Sequence, residues 1–421
     1  MEIMELAPGI TLRCFQDSRF KQGCLSFQLV RLLREKENAA NALIPTVLLQ
    51  GTRTYPDLRA ITEYLDQLYG ASIRELVRRV GDYQLVGLYC SFMDDRFAME
   101  GDRVFAPLVD FLQQILLDSP LENGGFLEET VEREKKNLIS VIESQSNNKM
   151  LYALHQLVKT VCREDSLGLP QLGEPEQVAA IDPVELYRYY RQALKTSPIE
   201  IFYVGRQTAD QVAQMLMPLV AALEDRQPEP LPPQTGLHSC PGQDLVETMD
   251  VAQGKLCLGF TTPIQADQPE AAAMQVLNGV LGGGMTSKLF QNVREKLSLC
   301  YSIGSTYYSG KGVLAVYTGI DFDKEPQARQ EILHQLALCQ EGTITDQEIQ
   351  AAKESLLSAL RGTHDSPGTI EGYYLSSILS GLNRTPQSHS QALEAVTKEQ
   401  VVAAARTLQL HSTYFLKGER K

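Results

Sequence analysis

The chain has 421 residues, 43 % of them apolar and 22 % charged, which is ordinary for a folded globular protein and excludes a disordered or collagen-like one. Lys and Arg number 39 against 52 Asp and Glu, for a formal charge of −13. That acidic balance excludes the broad basic face a nucleic-acid binder needs.

No run reaches the ~18 consecutive apolar residues of a membrane span. The opening MEIMELAPGITL lacks the basic and then apolar regions of a secretory signal, so a cytoplasmic location is expected. The eight cysteines, at 14, 24, 90, 162, 240, 257, 300 and 339, are scattered and never spaced C-x-x-C. They read as reduced thiols, mostly small buried hydrophobes.

In chain order, Ser72–Val80 and Tyr83–Phe92 are two strand patterns close enough for a hairpin. An amphipathic helix, Ala106–Leu117, follows. After a turn at Pro120–Gly125 comes a long charged helix, Leu127–Ile142. A further helix begins near Ala180–Tyr187, and a strand, Ile199–Val204, closes the first half. From Glu224 to Pro241 five prolines stand at 228, 230, 232, 233 and 241. Neither helix nor central strand persists through such a segment, so it reads as a linker.

The second half repeats the plan. The strand Val313–Ile320, the helices Ala328–Leu338 and Asp346–Leu360, the segment Ala395–Val402 and the closing strand Ser412–Leu416 follow their counterparts at an offset of roughly 215 to 232 residues. A period this long marks a duplicated domain. The expectation is an α+β chain of two similar αβ domains, each an antiparallel sheet with helices on one face, at residues 1–223 and 242–421, joined by 224–241 and facing each other as a clam.

Several catalytic motifs are missing. The six histidines form no H-x-x-x-H, H-E-x-x-H or H-x-x-E-H, so no helix presents two imidazoles to zinc. There is no G-x-S-x-G elbow. Gly282–Gly284 follow a helix pattern, Pro269–Leu281, instead of preceding one, so they read as a helix end and not a phosphate loop. Arg294 and Tyr301 lie seven residues apart, about two helical turns. On one face they would offer a guanidinium and a hydroxyl to a peptide carbonyl or carboxylate. The alternative is a surface Arg paired with Glu295 and a Tyr packed at a helix end.

The run Leu277–Ile303, LNGVLGGGMTSKLFQNVREKLSLCYSI, resembles the M16 (insulinase or pitrilysin-like) peptidase family, which carries LGGG-x-S-R-L-F-x-x-[LV]-R-E-x-x-G-L-x-Y. The resemblance extends to Leu6–Leu12, Gly51–Ala71 and Leu172–Ile181, and so over most of the chain. It implies two homologous αβ domains of the LuxS/MPP-like metallohydrolase fold. The family's zinc motif, H-x-x-E-H, falls on Ala42, Leu43, Ile44, Pro45 and Thr46. Ala42 has no donor atom, Thr46 is a poor neutral ligand, and Pro45 neither accepts a proton nor orients water. Pro45 costs on the order of 3 kcal/mol inside a helix, so a helix that kinks or begins near it is expected. The third ligand falls on Glu134, expected to be a solvated helix residue. Arg294 and Tyr301 match the family's substrate-binding Arg and Tyr, and Ser298 replaces its usual Gly.

The resemblance is strongest to the zinc-less YmfF/YfmF-like members of Gram-positive bacteria. It implies a non-catalytic subunit that holds no zinc itself and closes the chamber of a zinc-bearing M16 partner. Arg294 and Tyr301 would then contact substrate peptide. It also implies a link to 5-aminopentanol modification of elongation factor P. A peptide-binding or scaffold protein of the same fold with no peptidase role is the alternative.

Overall fold

The computed structural model describes residues 1–223 and 225–418. Glu224, at the head of the proline-rich segment, and residues 419–421 lie outside them.

The first half forms β1 (Glu2–Ala7), β2 (Ile10–Gln16), β3 (Gln22–Leu32), α1 (Asn38–Leu48), α2 (Leu58–Gln67), β4 (Ser72–Val80), β5 (Tyr83–Met93), α3 (Phe105–Leu117), the two-residue strands β6 (Leu121–Glu122) and β7 (Gly125–Phe126), α4 (Glu128–Ser144), α5 (Lys149–Val161), α6 (Pro175–Ala179), α7 (Pro183–Thr196), β8 (Ile199–Gly205) and α8 (Ala209–Ala222). The second half forms β9 (Asp244–Thr248), β10 (Gly254–Thr261), α9 (Ala271–Gly282), a π-helical segment (Leu289–Lys296), β11 (Ser302–Tyr308), β12 (Val313–Ile320), α10 (Glu325–Glu341), α11 (Asp346–Arg361), α12 (Pro367–Leu379), α13 (Pro386–Glu394), α14 (Lys398–Thr407) and β13 (Gln409–Lys417).

The duplication is visible in the strand order. One sheet runs β1-β2-β8-β3-β5-β4 and the other β9-β13-β10-β12-β11. Setting β1 aside, the five positions correspond one to one. Each sheet is antiparallel except at one pair, β2 with β8 and β9 with β13, which run parallel. The sheets are therefore mixed, which the adjacent hairpin patterns did not reveal. The expected hairpin forms: Val80 pairs with Tyr83 across a tight turn whose Gly81 sits at φ +57°, a conformation glycine adopts without steric cost.

The chain packs as two units that are not contiguous in sequence. One comprises Met1–Glu143, Pro170–Pro233 and His364–Ser376. The other comprises Ser144–Leu169, Gln234–Thr363 and Ser377 onward. A cut at the proline-rich segment would therefore part α5 and most of α12 from the units they pack in, since α5 belongs to the second unit and most of α12 to the first. The reason is burial. On α5, Ala153, Leu154, Leu157, Val158 and Val161 pack with Cys257, Val313, Ala315, Tyr414 and Leu416 of the second unit's sheet. Burying such side chains stabilises by roughly 1.5–3 kcal/mol each. Gly259 on β10 leaves room for them, since a Cβ there would lie 2.8 Å from Val161.

A buried polar cluster anchors each exchanged segment. In the second unit, Asp165 accepts from Lys311 Nζ at 3.1 Å and from the His238 amide at 2.9 Å, with His238 Nδ1 at 2.8 Å. The Asp165 and Lys311 side chains are 1 % and 2 % exposed. In the first unit, Glu371 accepts from Ser26 Oγ at 2.8 Å, from Gln28 Nε2 at 2.9 Å and from Arg78. Buried charge of this kind is tolerated only when paired.

All eight cysteines are buried. Burial pushes the Cys14 thiol up to about 11 and the Cys24 thiol up to about 12. Among the described residues no helix is long and apolar enough to cross a membrane.

Candidate functional site

Two separate places carry the sequence candidates, one in each unit. In the first, α1 starts at Asn38 and runs through Pro45 to Leu48, so Pro45 lies in its interior and does not open it. Lacking an N–H, Pro45 cannot donate to the Asn41 carbonyl, yet the apolar run around it keeps the helix. Ala42, Leu43, Ile44 and Pro45 are all buried.

The polar groups on α1 are already committed. Asn41 Nδ2 donates to Gln84 Oε1 at 2.8 Å. The Tyr189 hydroxyl lies 2.8 Å from Asn41 Oδ1 and 3.1 Å from Glu37 Oε2, sharing its one proton. Arg31 donates to Glu37 at 2.7 Å and its guanidinium stands over the Tyr189 ring at 5.2 Å. Thr46 Oγ1 donates to the Leu43 carbonyl at 2.9 Å.

Glu134 is not solvated as expected: it is 5 % exposed. Val131, Glu134, Lys135 and Leu138 are the buried residues of α4, at i, i+3, i+4 and i+7. They form the helix's inward stripe, so the carboxylate is carried inward by its position. Arg133 Nε donates to Glu134 Oε1 at 3.1 Å and Asn137 Nδ2 to Oε2 at 3.2 Å. Arg133 also donates to Gln50 Oε1 at 3.0 Å, and Gln50 Nε2 to the Thr46 carbonyl at 3.1 Å. Arg133 and Gln50 thus tie α4 to the C-terminal end of α1, two residues the sequence motifs gave no reason to select. The set Ala42, Pro45, Thr46 and Glu134 does not fit zinc. It offers one carboxylate, already neutralised by a guanidinium. Among the described residues no group of three His, Cys, Asp or Glu side chains is arranged to hold a metal.

In the second unit, Arg294 and Tyr301 do not share a helix face. The π-helical segment ends at Lys296, and Ser298 sits at φ +49° and turns the chain. The seven-residue spacing therefore does not count two α-turns. Arg294 stands over the Phe290 ring at 4.6 Å, with Glu295 3.6 Å from its Nε. Tyr301 is 60 % exposed and not packed at a helix end. Its hydroxyl donates to Asp321 Oδ1 at 3.0 Å, and Asp321 also pairs with Lys324 at 3.2 Å. That bond to Asp321 raises the Tyr301 hydroxyl above its ordinary range, so it stays a donor. Lys324 and Tyr301 together hold the Asp321 carboxyl below its usual range. Leu297 and Met285 are also exposed, at 45 % and 73 %.

The glycine run nearby serves close packing. A Cβ on Gly282 would lie 2.6 Å from Ser305 Oγ, and one on Gly283 2.7 Å from Gly279 Cα. Gly283 caps α9 at φ −81°, so no left-handed cap is involved.

Residues 180–356 match the family described as the peptidase M16 inactive domain. The chain is 28 % identical, over 97 % of its length and 96 % of the relative's, to a Bacillus subtilis (strain 168) protein named "Probable inactive metalloprotease YmfF". It is 24 % identical over 84 % of its length to another from the same strain, "Uncharacterized zinc protease YmxG", covering 86 % of that protein. In solved structures it is similar to a conserved protein from Enterococcus faecalis V583, with 26 % identity, a TM-score of 0.91 and coverage of 100 % and 99 % of the two chains. A peptidase M16 inactive domain from Pseudomonas fluorescens shares the fold at 18 % identity and a TM-score of 0.80, over 100 % of this chain and 98 % of that one. The resemblance of Leu277–Ile303 to M16 thus holds, as does the two-domain α+β fold. Residues 180–356 thus match the M16 inactive-domain family, and the chain as a whole is similar both to YmfF and to zinc-protease homologues.

Proposed function

We propose that this chain is the zinc-free subunit of a two-chain M16 peptidase. A second M16 chain would carry the zinc and the general base. This one would close the chamber and contact substrate peptide through Arg294 and Tyr301. The observation that carries the reading is the retained zinc helix without its chemistry. α1 runs buried across Pro45 and Arg133 neutralises Glu134, and by the resemblance Ala42, Pro45 and Thr46 fall at the ligand and base positions.

Arg294 and Tyr301 are the two donors the resemblance assigns to substrate, half-buried and exposed respectively. The guanidinium stacks on Phe290 and pairs only loosely with Glu295, so its N–H groups can be offered to peptide carbonyls. When Tyr301 turns its hydroxyl to a substrate, Lys324 still compensates Asp321, so the exchange strands no carboxylate. If the pair reaches the partner's scissile carbonyl, each donor lowers the barrier as negative charge develops on that oxygen. From the same resemblance, the process we assign is the 5-aminopentanol modification of elongation factor P, in the cytoplasm.

The experiment is co-expression with a zinc-bearing M16 protein, followed by a peptide-cleavage assay of each chain alone and of the two together. Cleavage only, or mainly, by the mixture is expected, with zinc found in the partner by elemental analysis. Arg294→Ala and Tyr301→Phe are expected to leave pairing intact and lower turnover by roughly 10²–10³ if they meet the oxyanion. Stoichiometric zinc on this chain, or a mixture no more active than the partner alone, would overturn the reading.

A further inference from the structure

The duplication supplies an internal control for one cavity. In the first unit the space between α7 and α1 is filled by Tyr189, whose ring lies under Arg31 and whose hydroxyl meets Asn41 and Glu37. The second unit repeats this helix pair as α14 and α9. The α7 and α14 helices begin at Pro183 and Lys398, each behind an N-cap, Asp182 or Thr397. At that register Tyr189 corresponds to Ala404.

With the ring gone, the space stands open. A cavity of about 730 Å³ lies there, walled by Ala272 and Ala273 of α9, Ala403 and Ala404 of α14, and Ala395 and Val396 ahead of it. Ala273, Val396 and Ala404 are buried and form its floor, while Ala395 and Ala403 are exposed at its open side. Thr407, also on the wall, is already engaged, 2.6 Å from Thr262 Oγ1 and donating to the Ala404 carbonyl. The lining is therefore mostly apolar, with Gln268, Glu270 and Gln400 as the other polar side chains. Apolar walls, a few polar groups and a volume within the roughly 300–1,000 Å³ usual for ligand sites describe a small-molecule pocket.

We propose that this cavity binds a neutral aromatic small molecule, seated where the first repeat seats its own tyrosine ring. A phenol is the simplest such ligand, with its ring against the alanines and its hydroxyl toward Gln268 or Glu270. The argument stands apart from Arg294 and Tyr301 and from any partner chain.

The test uses the full chain labelled at its alanine methyl groups and p-cresol, the tyrosine side chain itself, as probe. Saturable shifts of the Ala273, Ala395, Ala403 and Ala404 methyl signals are expected at concentrations up to about 10 mM. At ten times the dissociation constant the melting temperature of the full chain should rise by roughly 1–2 °C. Ala404→Phe, which returns a ring to the space, should abolish both responses. Where that variant fails to fold, Ala395→Leu fills the cavity from the facing wall and carries the same expectation. Absence of saturable shifts in the unsubstituted chain, or shifts that survive filling, would overturn the proposal.

Discussion

Replacing Lys311 by Met removes one ammonium and keeps most of the side-chain stem. Three polar atoms lose their donor: Asp165 Oδ1 at 3.1 Å, the Thr235 carbonyl at 2.9 Å and Thr235 Oγ1 at 3.1 Å. At an effective dielectric near 20, two unit charges 3.1 Å apart attract by about 5 kcal/mol. Breaking a buried pair by removing one partner typically costs about 3–5 kcal/mol. His238 still gives Asp165 its amide and ring nitrogen, so the lower end, about 3 kcal/mol, is expected. Because Asp165 follows α5 and Lys311 lies in the turn between β11 and β12, the loss should loosen the hold on the exchanged segment. The chain has no Trp, so urea unfolding is followed by far-UV circular dichroism, with amide exchange read along Leu157–Cys162. The double variant Lys311→Met, Asp165→Asn should recover about 2 kcal/mol of the single loss, because it leaves no bare carboxylate. A Lys311→Met cost below about 1 kcal/mol, or a double variant as weak as the sum of the singles, would refute the reasoning.

Other expectations concern single residues. Ser298→Gly should raise stability by about 0.5–1 kcal/mol, since φ +49° disfavours a side chain; a melting curve checks it. Burial works to raise the Glu37 carboxyl, but Arg31, Tyr189 and Arg34 outweigh it and hold the group below its usual 4.5. A depressed carboxylate stabilises above its unfolded value, and the gain is lost as pH falls through the folded one. Acid titration of the unfolding free energy should therefore show a drop below about pH 4.5 that Glu37→Gln flattens. Arg133→Ala should destabilise the first unit by about 1–3 kcal/mol, because Glu134 then stays buried without its cation; Glu134→Gln in the same background should restore most of it.

Local pattern carried the fold a long way. Val313–Ile320 is a strand over the residues its apolar run marks, and Asp346–Leu360 extends by only one residue to Arg361. Pattern does not say which sheet an amphipathic helix covers. The apolar face of α5 fits any sheet of the right curvature, so its place in the second unit is decided by tertiary packing alone. Glu134 was a different miss. The heptad stripe Val131, Glu134, Lys135 and Leu138 was there to be read, but so many charges on α4 hid it. At Arg294 and Tyr301 the sequence located the residues and not their geometry, because a π-helical turn and a left-handed serine leave no mark in hydrophobic spacing. Tyr189 carried no motif, and only the repeat gives its absence at Ala404 a meaning.

The reciprocal transfer of α5 and α12 bears on how such a chain came to exist. If the two halves descend from one gene, a single copy of that gene encoded a sheet together with a helix destined for another molecule's sheet. Its stable form was then a dimer, each protomer lending a helix to the other. Fusion of the two copies through a proline-rich tether turned a concentration-dependent association into an intramolecular one. Once joined, the halves no longer had to be alike. One could drop Tyr189's counterpart, and either could drop a metal site, without losing the partner that completed its core.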